Sequence, residues 1–420
     1  MRLAILLGSL AGGNILIGFI CQWYTVTTVG PGLQTDALFA GMVVPQLVLA
    51  VITGSLTQVL VPLLSNEKEG QFYHSAWTFF QGIGLLFGVI TFVLFVSAHI
   101  WVPWTVPGFD TNTTSLTLSL VRIQLVGMVF NALIAVQWSV NYARQRFIWV
   151  ELSSIIANGI GFGFLIWGLS LFGIVAAAWV MILRAFLQVV FLIRGLGPYN
   201  KPDWRGEMLK EAWRRLKPLL FGATYFRTDQ LIDRFLASMV PAGGLTLLHM
   251  AQQLYGSGSA ILNKSITIPM VPMLANKAHA GDWRSFRHIC FRRLFAMAGV
   301  TGLIFFVILI FGEPLLTLLF GHKRFGSESV VTLWWLLVAL GGLWVGGGMG
   351  TITSSTYYAK GDTHTPTKVG IWTYTAYVPF KILAFYLFKL GGLAVSISIF
   401  NVVNFILQMY FLKRLPYENK

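Results

Sequence analysis

The sequence contains few charged residues and even fewer acidic ones. Only 11% of its 420 residues are Asp, Glu, Lys or Arg, and only 15 are acidic, whereas a water-soluble domain carries about 25% charged residues. With 56% hydrophobic residues, the chain has too few polar side chains to cover its own surface. The shortage of charge excludes a soluble protein and predicts an integral membrane protein whose apolar surface faces lipid.

Cysteine is also scarce. The two cysteines, Cys21 and Cys290, lie in different halves of the chain, so they provide neither a disulfide framework nor the spacing of a metal site. The sequence shows no Ser-His-Asp, paired-glutamate or metal-ligand arrangement, and the loops near 102–115 and 313–328 are short. These absences argue against an enzyme, and we expect no bound metal or cofactor.

Apolar runs long enough to cross a bilayer, about 20 residues each, recur along the whole chain. We predict an all-α protein with twelve transmembrane helices, at residues 3–26, 37–64, 77–101, 116–140, 149–167, 172–194, 217–239, 245–274, 293–312, 329–354, 368–388 and 391–412. Pro45 and Pro62 fall in the second segment, and Pro269 and Pro272 in the eighth. These prolines produce either ordinary kinks or the interrupted helices typical of a gating or binding region.

The two halves of the chain resemble each other. Val61 and Pro62 end one apolar segment, and Val271 and Pro272 end another about half a chain length later. A repeated order of elements predicts two lobes around a central path. The predicted parts are an N-terminal six-helix lobe (1–194), an amphipathic linker helix on the cytoplasmic face (195–216) and a C-terminal six-helix lobe (217–420).

The distribution of basic residues predicts the orientation. Most of the 30 Lys and Arg residues fall in loops that share one side of the membrane, and such loops are cytoplasmic. We therefore place both termini in the cytoplasm. The net charge of +15 follows from this topology and favours contact with anionic lipid headgroups, so no nucleic-acid partner is needed to explain it.

Several short motifs resemble one family of membrane proteins. These motifs are Gln34–Phe39, Val59–Ser65, Pro107–Phe109 and, most specifically, the turn Tyr357–Pro366. They resemble the MurJ/MviN family, and the resemblance covers essentially the whole chain. It implies a V-shaped, two-lobed flippase fold of the multidrug/oligosaccharidyl-lipid/polysaccharide exporter superfamily.

The resemblance also implies a function. Members of this family carry undecaprenyl-diphosphate-linked glycans to the outer leaflet of the bacterial cytoplasmic membrane, with the peptidoglycan precursor lipid II as the type substrate. We expect a polyprenyl-diphosphate-linked glycan and the lipid bilayer as partners, and a monomeric protein. The family's cavity arginines on the first two spans correspond here to Ile15, Cys21, Leu49 and Ala50, and an Asp-Arg pair on the eighth span corresponds to Gln252 and Gln253.

Charged side chains at membrane depth are costly, so they usually face inward and are paired. Arginine can bind phosphate oxygens through two hydrogen bonds, and lysine supplies a point charge. The basic candidates for diphosphate binding are Arg184, Arg234, Lys264 and Lys381. The other candidates for substrate contact are Asp36, Gln252 and Gln253. Further polar side chains can either contact sugar hydroxyls or join helices by hydrogen bonds, namely Asn14, Gln58, Asn131, Asn158, Gln188 and Asn263.

Two acidic residues of the seventh span are candidates for ion coupling. Asp229 and Asp233 are one helical turn apart and share a helix face, where two carboxylates can hold a proton or Na⁺. The resemblance also places a coupling acid on this span, so transport can be driven by Na⁺, H⁺ or the membrane potential. In the alternative interpretation, Asp233 pairs with a basic residue such as Lys381 or Arg184 and only holds helices together.

Other functions remain open from the sequence. An exopolysaccharide or O-antigen repeat unit would suit the same fold, without a role in peptidoglycan synthesis. A cation-coupled small-molecule exporter belongs to the same superfamily, but the motifs argue against it. A membrane glycan polymerase or ligase would need a larger outer loop, and a non-transporting scaffold would bind the precursor without moving it.

The topology can be tested by labelling single cysteines. In a Cys21→Ser, Cys290→Ser chain, we expect an Asp362→Cys variant to react with a membrane-impermeant maleimide only after the cells are permeabilised. An Asp110→Cys variant, in a loop predicted to lie outside, should react in intact cells. The opposite pattern would reverse the predicted orientation.

Overall fold

The secondary structure is helical, as the composition predicts. A computed structural model describes residues 2–65, 67, 69–204, 206–321 and 324–414, and no strand occurs among these residues. Within this described part, 8 helical stretches are long and apolar enough to cross a membrane. The all-α class is therefore confirmed, and the chain is a multi-pass membrane protein.

Contacts divide the chain into two compact units, Met1–Leu245 and Thr246–Lys420. The helices up to the end of the first unit are α1 (Arg2–Val29), α2 (Leu33–Gly41), α3 (Val43–Ser65), α4 (Glu69–Thr105), α5 (Thr111–Ala143), α6 (Phe147–Phe172), α7 (Ile174–Leu192) and α8 (Glu207–Ala237). The remaining helices are α9 (Gly244–Leu262), α10 (Ile268–His279), α11 (Trp283–Phe320), α12 (Ser327–Ala339), α13 (Gly341–Ala359) and α14 (His364–Arg414).

Each of the twelve predicted spans corresponds to helical structure, and the second and eighth are interrupted near their prolines. The second span consists of α2 and α3, which are separated at Met42. Pro45 has no N–H to donate to the carbonyl four residues earlier, so the helix cannot continue regularly there. The eighth span consists of α9 and α10, joined by a π-helix at Asn263–Thr267, just before Pro269. The gating role of these interruptions remains a prediction.

Two further breaks occur in the second unit. The tenth span was predicted as one segment but is divided into α12 and α13 at Leu340. The boundary between the last two spans was predicted near residue 390, and α14 has its non-helical residue at Lys389, with φ 51° and ψ −133°. That boundary is confirmed.

Among the described residues, the structure does not contain the separate linker helix predicted at 195–216. A 3₁₀ turn ends at Leu196, and α8 then runs without interruption from Glu207 through the seventh span. The apolar face recognised in the sequence is real, because Ala212 and Leu216 belong to one core cluster with Leu56 and Leu60 of α3. Packing against α3 and α4 places α8 in the first compact unit. The division into lobes at 195–216 remains a prediction.

Two polar turns are built in the same way, from a glycine followed by an aspartate. Gly281 and Gly361 have φ of 69° and 84°, a left-handed conformation that glycine adopts without strain. The following aspartates then accept hydrogen bonds from the first turns of α11 and α14, Asp282 from Ser285 N at 3.0 Å and Asp362 from Thr365 N at 2.9 Å. This geometry explains the Gly-Asp pair in the Tyr357–Pro366 motif.

The first of these turns also carries an ion pair. The ammonium of Lys277 lies 2.9 Å from Oδ2 of Asp282. Hydrogen bonds from Lys277 and from the Ser285 N–H lower the pKa of Asp282 to about 2. The carboxylate of Asp282 therefore stays ionised at every physiological pH, and its ion pair with Lys277 is retained.

Gly108, in the loop between α4 and α5, approaches the end of α8 closely. Its N–H donates to Ser238 Oγ at 3.3 Å. A Cβ atom at this position would lie 2.2 Å from the Ser238 carbonyl oxygen and 2.6 Å from Met239 Cα. Because both are backbone atoms, no rotamer change can relieve the clash.

We expect Gly108→Ala to destabilise the first unit by about 1–3 kcal/mol, the usual effect of overpacking. The measurement is the free energy of unfolding of the detergent-solubilised protein. Gly88→Ala on α4 is the matched control, since nothing lies within 4 Å of its added Cβ. Equal stability of the two variants would show that the loop and α8 do not pack this closely.

Candidate functional site

The structure brings three of the predicted charged residues together in the first unit. Asp36 lies in the first turn of α2, and Asp233 and Arg234 lie near the end of α8. All three side chains are buried, with 2%, 5% and 9% of their surfaces exposed, respectively. Arg234 interacts electrostatically with both Asp233 and Asp36.

The backbone completes this cluster. Gly243, in the turn before α9, donates its N–H to Asp36 Oδ2 at 2.7 Å. Its φ of 92° is left-handed, and an added Cβ would lie 3.2 Å from the Pro31 carbonyl. We call Asp36, Asp233, Arg234 and Gly243 the Asp36 cluster. It links α2 to the end of α8, on the side that the predicted topology places outside the cell.

Asp229 lies one turn before Asp233 on α8 and is half-buried. The two carboxylates therefore share a helix face, as their spacing predicts. The basic neighbour of Asp233 is Arg234, whereas the alternative interpretation of the sequence named Lys381 or Arg184. The coupling role of Asp229 and Asp233 stays a prediction.

Arg184 lies in a different part of the first unit, in the middle of α7. It lines a cavity of about 310 Å³ among α1, α2, α3, α5, α6 and α7, which we call the Arg184 cavity. The other polar side chains that line it are Gln22, Thr25, Gln46, Asn131, Asn158 and Gln188. Cys21 contributes its thiol, and none of the described lining residues is acidic.

Hydrogen bonds between helices hold the polar wall of this cavity. Arg184 Nε donates to Asn158 Oδ1 on α6, and Asn158 Nδ2 donates to Asn14 Oδ1 on α1. Gln188 Nε2 donates to Ser154 Oγ at 2.6 Å. The helix-joining interpretation of Asn14, Asn158 and Gln188 is therefore confirmed.

The other predicted site residues lie in the second unit. Lys264 is exposed and lies in the π-helix, beside Asn263, whose Oδ1 accepts hydrogen bonds from Thr267 and Thr351. Lys381 is fully buried on α14, with Nζ 4.9 Å from the centre of the Tyr377 ring. Gln252 and Gln253 are half-buried on α9. Their contact with substrate remains a prediction.

Two features of these sites could not be predicted from the sequence. One is Gly161 of α6, where a Cβ would lie 2.3 Å from Cγ of Arg184, so only a glycine lets the arginine lie against this helix. The other is Gly243, whose N–H binds Asp36. Both involve residues that are distant in sequence, and no periodic signal marks them.

The chain matches one known protein family over most of its length. The family model described as lipid II flippase MurJ matches residues 25–418. The probable lipid II flippase MurJ of Buchnera aphidicola is 24% identical, over 96% of this chain and 81% of its own length. That of Haemophilus influenzae is 23% identical, over 93% of this chain and 81% of its own length.

Solved structures show the same fold. A lipid II flippase MurJ in an inward closed conformation matches with a TM-score of 0.84 and 17% identity, covering 98% of this chain and 88% of that one. An inward-facing MATE family transporter of the MOP superfamily matches with a TM-score of 0.78 and 13% identity, covering 97% and 93%. The predicted superfamily fold is confirmed.

The Asp36 cluster can be tested by a double-mutant cycle. We expect Asp36→Asn and Arg234→Gln each to lower the free energy of unfolding by about 3–5 kcal/mol, because each leaves a buried charge less compensated. The double variant should lose clearly less than the sum of the two. Asp110→Asn, an exposed cap of α5, is the control and should be neutral. Additive losses would show that Asp36 and Arg234 do not interact.

Proposed function

The chain belongs to the family of the lipid II flippase MurJ, and we propose that it moves an undecaprenyl-diphosphate-linked glycan from the inner to the outer leaflet of the bacterial cytoplasmic membrane. It is a transporter of this family and not an enzyme. Its matched relatives are named for lipid II, so lipid II is the first substrate to test. No observation favours the polysaccharide-specific, polymerase or scaffold alternatives.

The observation that best supports a moving transporter is the Asp36 cluster. A buried group of charges contributes little net stability, because desolvation offsets much of the attraction. It is, however, a good reversible contact, since water entering from the membrane surface can solvate the separated charges. In our proposal the cluster closes the outer end of the path, and its opening releases the substrate outside.

Helix interruptions give the fold places to bend. The break at Met42 lies between α2, which carries Asp36, and α3. The π-helix at Asn263–Thr267 interrupts the corresponding span of the other half. Interrupted helices at equivalent positions of two repeats are typical of transporters that alternate access. The π-helix carries Lys264. We assign contacts with the headgroup of the substrate to Lys264, Lys381, Gln252 and Gln253.

Asp233 is the residue we expect to couple opening to a cation or proton. Protonation, or capture of Na⁺ with Asp229, would weaken its attraction to Arg234. The remaining attraction between Arg234 and Asp36 would then have to hold the cluster alone. In this way, ion binding favours the open outer end, and Na⁺, H⁺ or the membrane potential can supply the driving force.

The direct test is flipping of a fluorescent lipid II in vesicles that contain the purified protein. We expect transport with the wild type and loss of transport with Asp233→Asn, while the variant remains folded in the membrane. Imposed Na⁺, pH and voltage gradients identify the coupling ion. Asp110→Asn should transport normally.

Thermal unfolding of the same samples distinguishes the two interpretations of Asp233. Normal transport by Asp233→Asn, or loss that follows unfolding, would make Asp233 a structural ion-pair partner. A wild type that flips no diphosphate-linked glycan would contradict the proposed function itself.

A further inference from the structure

The Arg184 cavity contains a positive charge without a matching negative one. Arg184 lies midway along α7, which has no other charged residue in its 19-residue sequence. None of the described residues that line the cavity is acidic. A basic side chain at the centre of a membrane helix costs about 3 kcal/mol or more, and such residues mark ligand or ion pathways.

The guanidinium group is only partly used by the protein. Nε donates to Asn158, and this is the one hydrogen bond of Arg184 found within the described part of the chain. Its two terminal nitrogens, with four N–H groups, remain available to a ligand. Arg184 thus differs from Arg234, whose charge faces two carboxylates.

The rest of the wall fixes the position of this group. Gly161 allows the arginine stem to lie directly on α6. The hydrogen bonds from Arg184 to Asn158 and from Asn158 to Asn14 connect three helices. A guanidinium held in one orientation loses little conformational entropy on binding and presents a planar fork that matches phosphate oxygens.

The size and lining of the cavity restrict the ligand. Its volume of about 310 Å³ lies at the lower end of the ~300–1,000 Å³ range of small-molecule sites. That space suits a diphosphate group but not a complete glycopeptide headgroup. The side-chain amides of Gln22, Gln46 and Asn131 also line the cavity and can donate N–H groups to an anion beside the arginine. The hydroxyl of Thr25 is already donated to the Cys21 carbonyl.

We propose that the Arg184 cavity is the site that holds the diphosphate group of the carrier lipid, with Arg184 as its principal ligand. This inference rests on the proposed function and selects one of the four basic candidates. The sugar portion then remains outside the cavity, so the site recognises the feature shared by all polyprenyl-diphosphate-linked glycans. The same chemistry would also accept free inorganic diphosphate.

Cys21 provides a reporter inside the cavity. In a Cys290→Ser chain it is the only thiol, and it interacts electrostatically with Arg184. We expect a negatively charged methanethiosulfonate to modify Cys21 at least about tenfold faster than a positively charged one of similar size, because a cleft of one sign concentrates the opposite charge. Arg184→Gln should abolish this preference, and inorganic diphosphate should slow the reaction in the wild type only.

Thermal stabilisation by ligands is the second measurement, and it does not depend on access to the thiol. We expect undecaprenyl diphosphate to raise the unfolding temperature of the wild type and of Arg122→Gln, but not of Arg184→Gln. Arg122 is the matched control because it lies on α5 against the Phe95 ring, outside this cavity. Undecaprenyl monophosphate should stabilise less than the diphosphate.

The outcomes separate the possible sources of the ligand. Stabilisation by the diphosphate lipid that requires Arg184 supports the proposal, whereas an Arg184-dependent effect of inorganic diphosphate alone would assign the cavity to a free anion and overturn the carrier-lipid assignment. Equal stabilisation of the wild type and Arg184→Gln would make Arg184 structural. Normal lipid binding without flipping would contradict the proposed function and leave this site intact.

Discussion

Backbone hydrogen bonding without water is the constraint on which this structure depends. In the hydrocarbon core, every N–H and C=O group needs a partner within the protein, so each predicted span is built from helices. Where a helix breaks, side chains satisfy the released groups. Between α12 and α13, Ser398 Oγ accepts hydrogen bonds from the N–H groups of Gly342 and Leu343, at 3.1 Å and 3.4 Å. Interruptions are therefore tolerated where a neighbouring helix supplies a polar group.

The absence of water also makes a charged side chain costly inside the membrane. The first unit accommodates such charges in two ways. In the Asp36 cluster, Arg234 faces carboxylates of the protein itself, so its charge is compensated before any ligand arrives. In the Arg184 cavity the lining is neutral, and amides hold the arginine in place without cancelling its charge. A compensated cluster suits a contact that opens and closes, whereas an uncompensated charge suits an anionic cargo. Arg234 and Arg184 are both arginines of membrane helices, and their different surroundings suit them to different roles.

Much of the fold could be predicted from the sequence because a bilayer imposes a single length and polarity on every span. The order of the spans, the breaks near Pro45 and Pro269 and the turn at Asp362 all follow from local chemistry. The continuity of α8 did not follow, because its apolar face packs on α3 and α4, and periodicity cannot distinguish this packing from a helix lying on a membrane surface. The sequence also does not show which charged residues meet, since Asp36 and Arg234 are brought together only by the tertiary fold.

Two positions at which the family carries arginines lie in the wall of the Arg184 cavity. The resemblance implies arginines where this chain has Cys21 and Leu49, and both residues line the Arg184 cavity. The small thiol and the apolar side chain carry no charge there, while Arg184 reaches the same space from α7. An anion binding in this cavity responds to the position of positive charge and not to the helix that supplies it. A basic cavity for a diphosphate is therefore compatible with the replaced arginines, because Arg184 supplies the positive charge from α7.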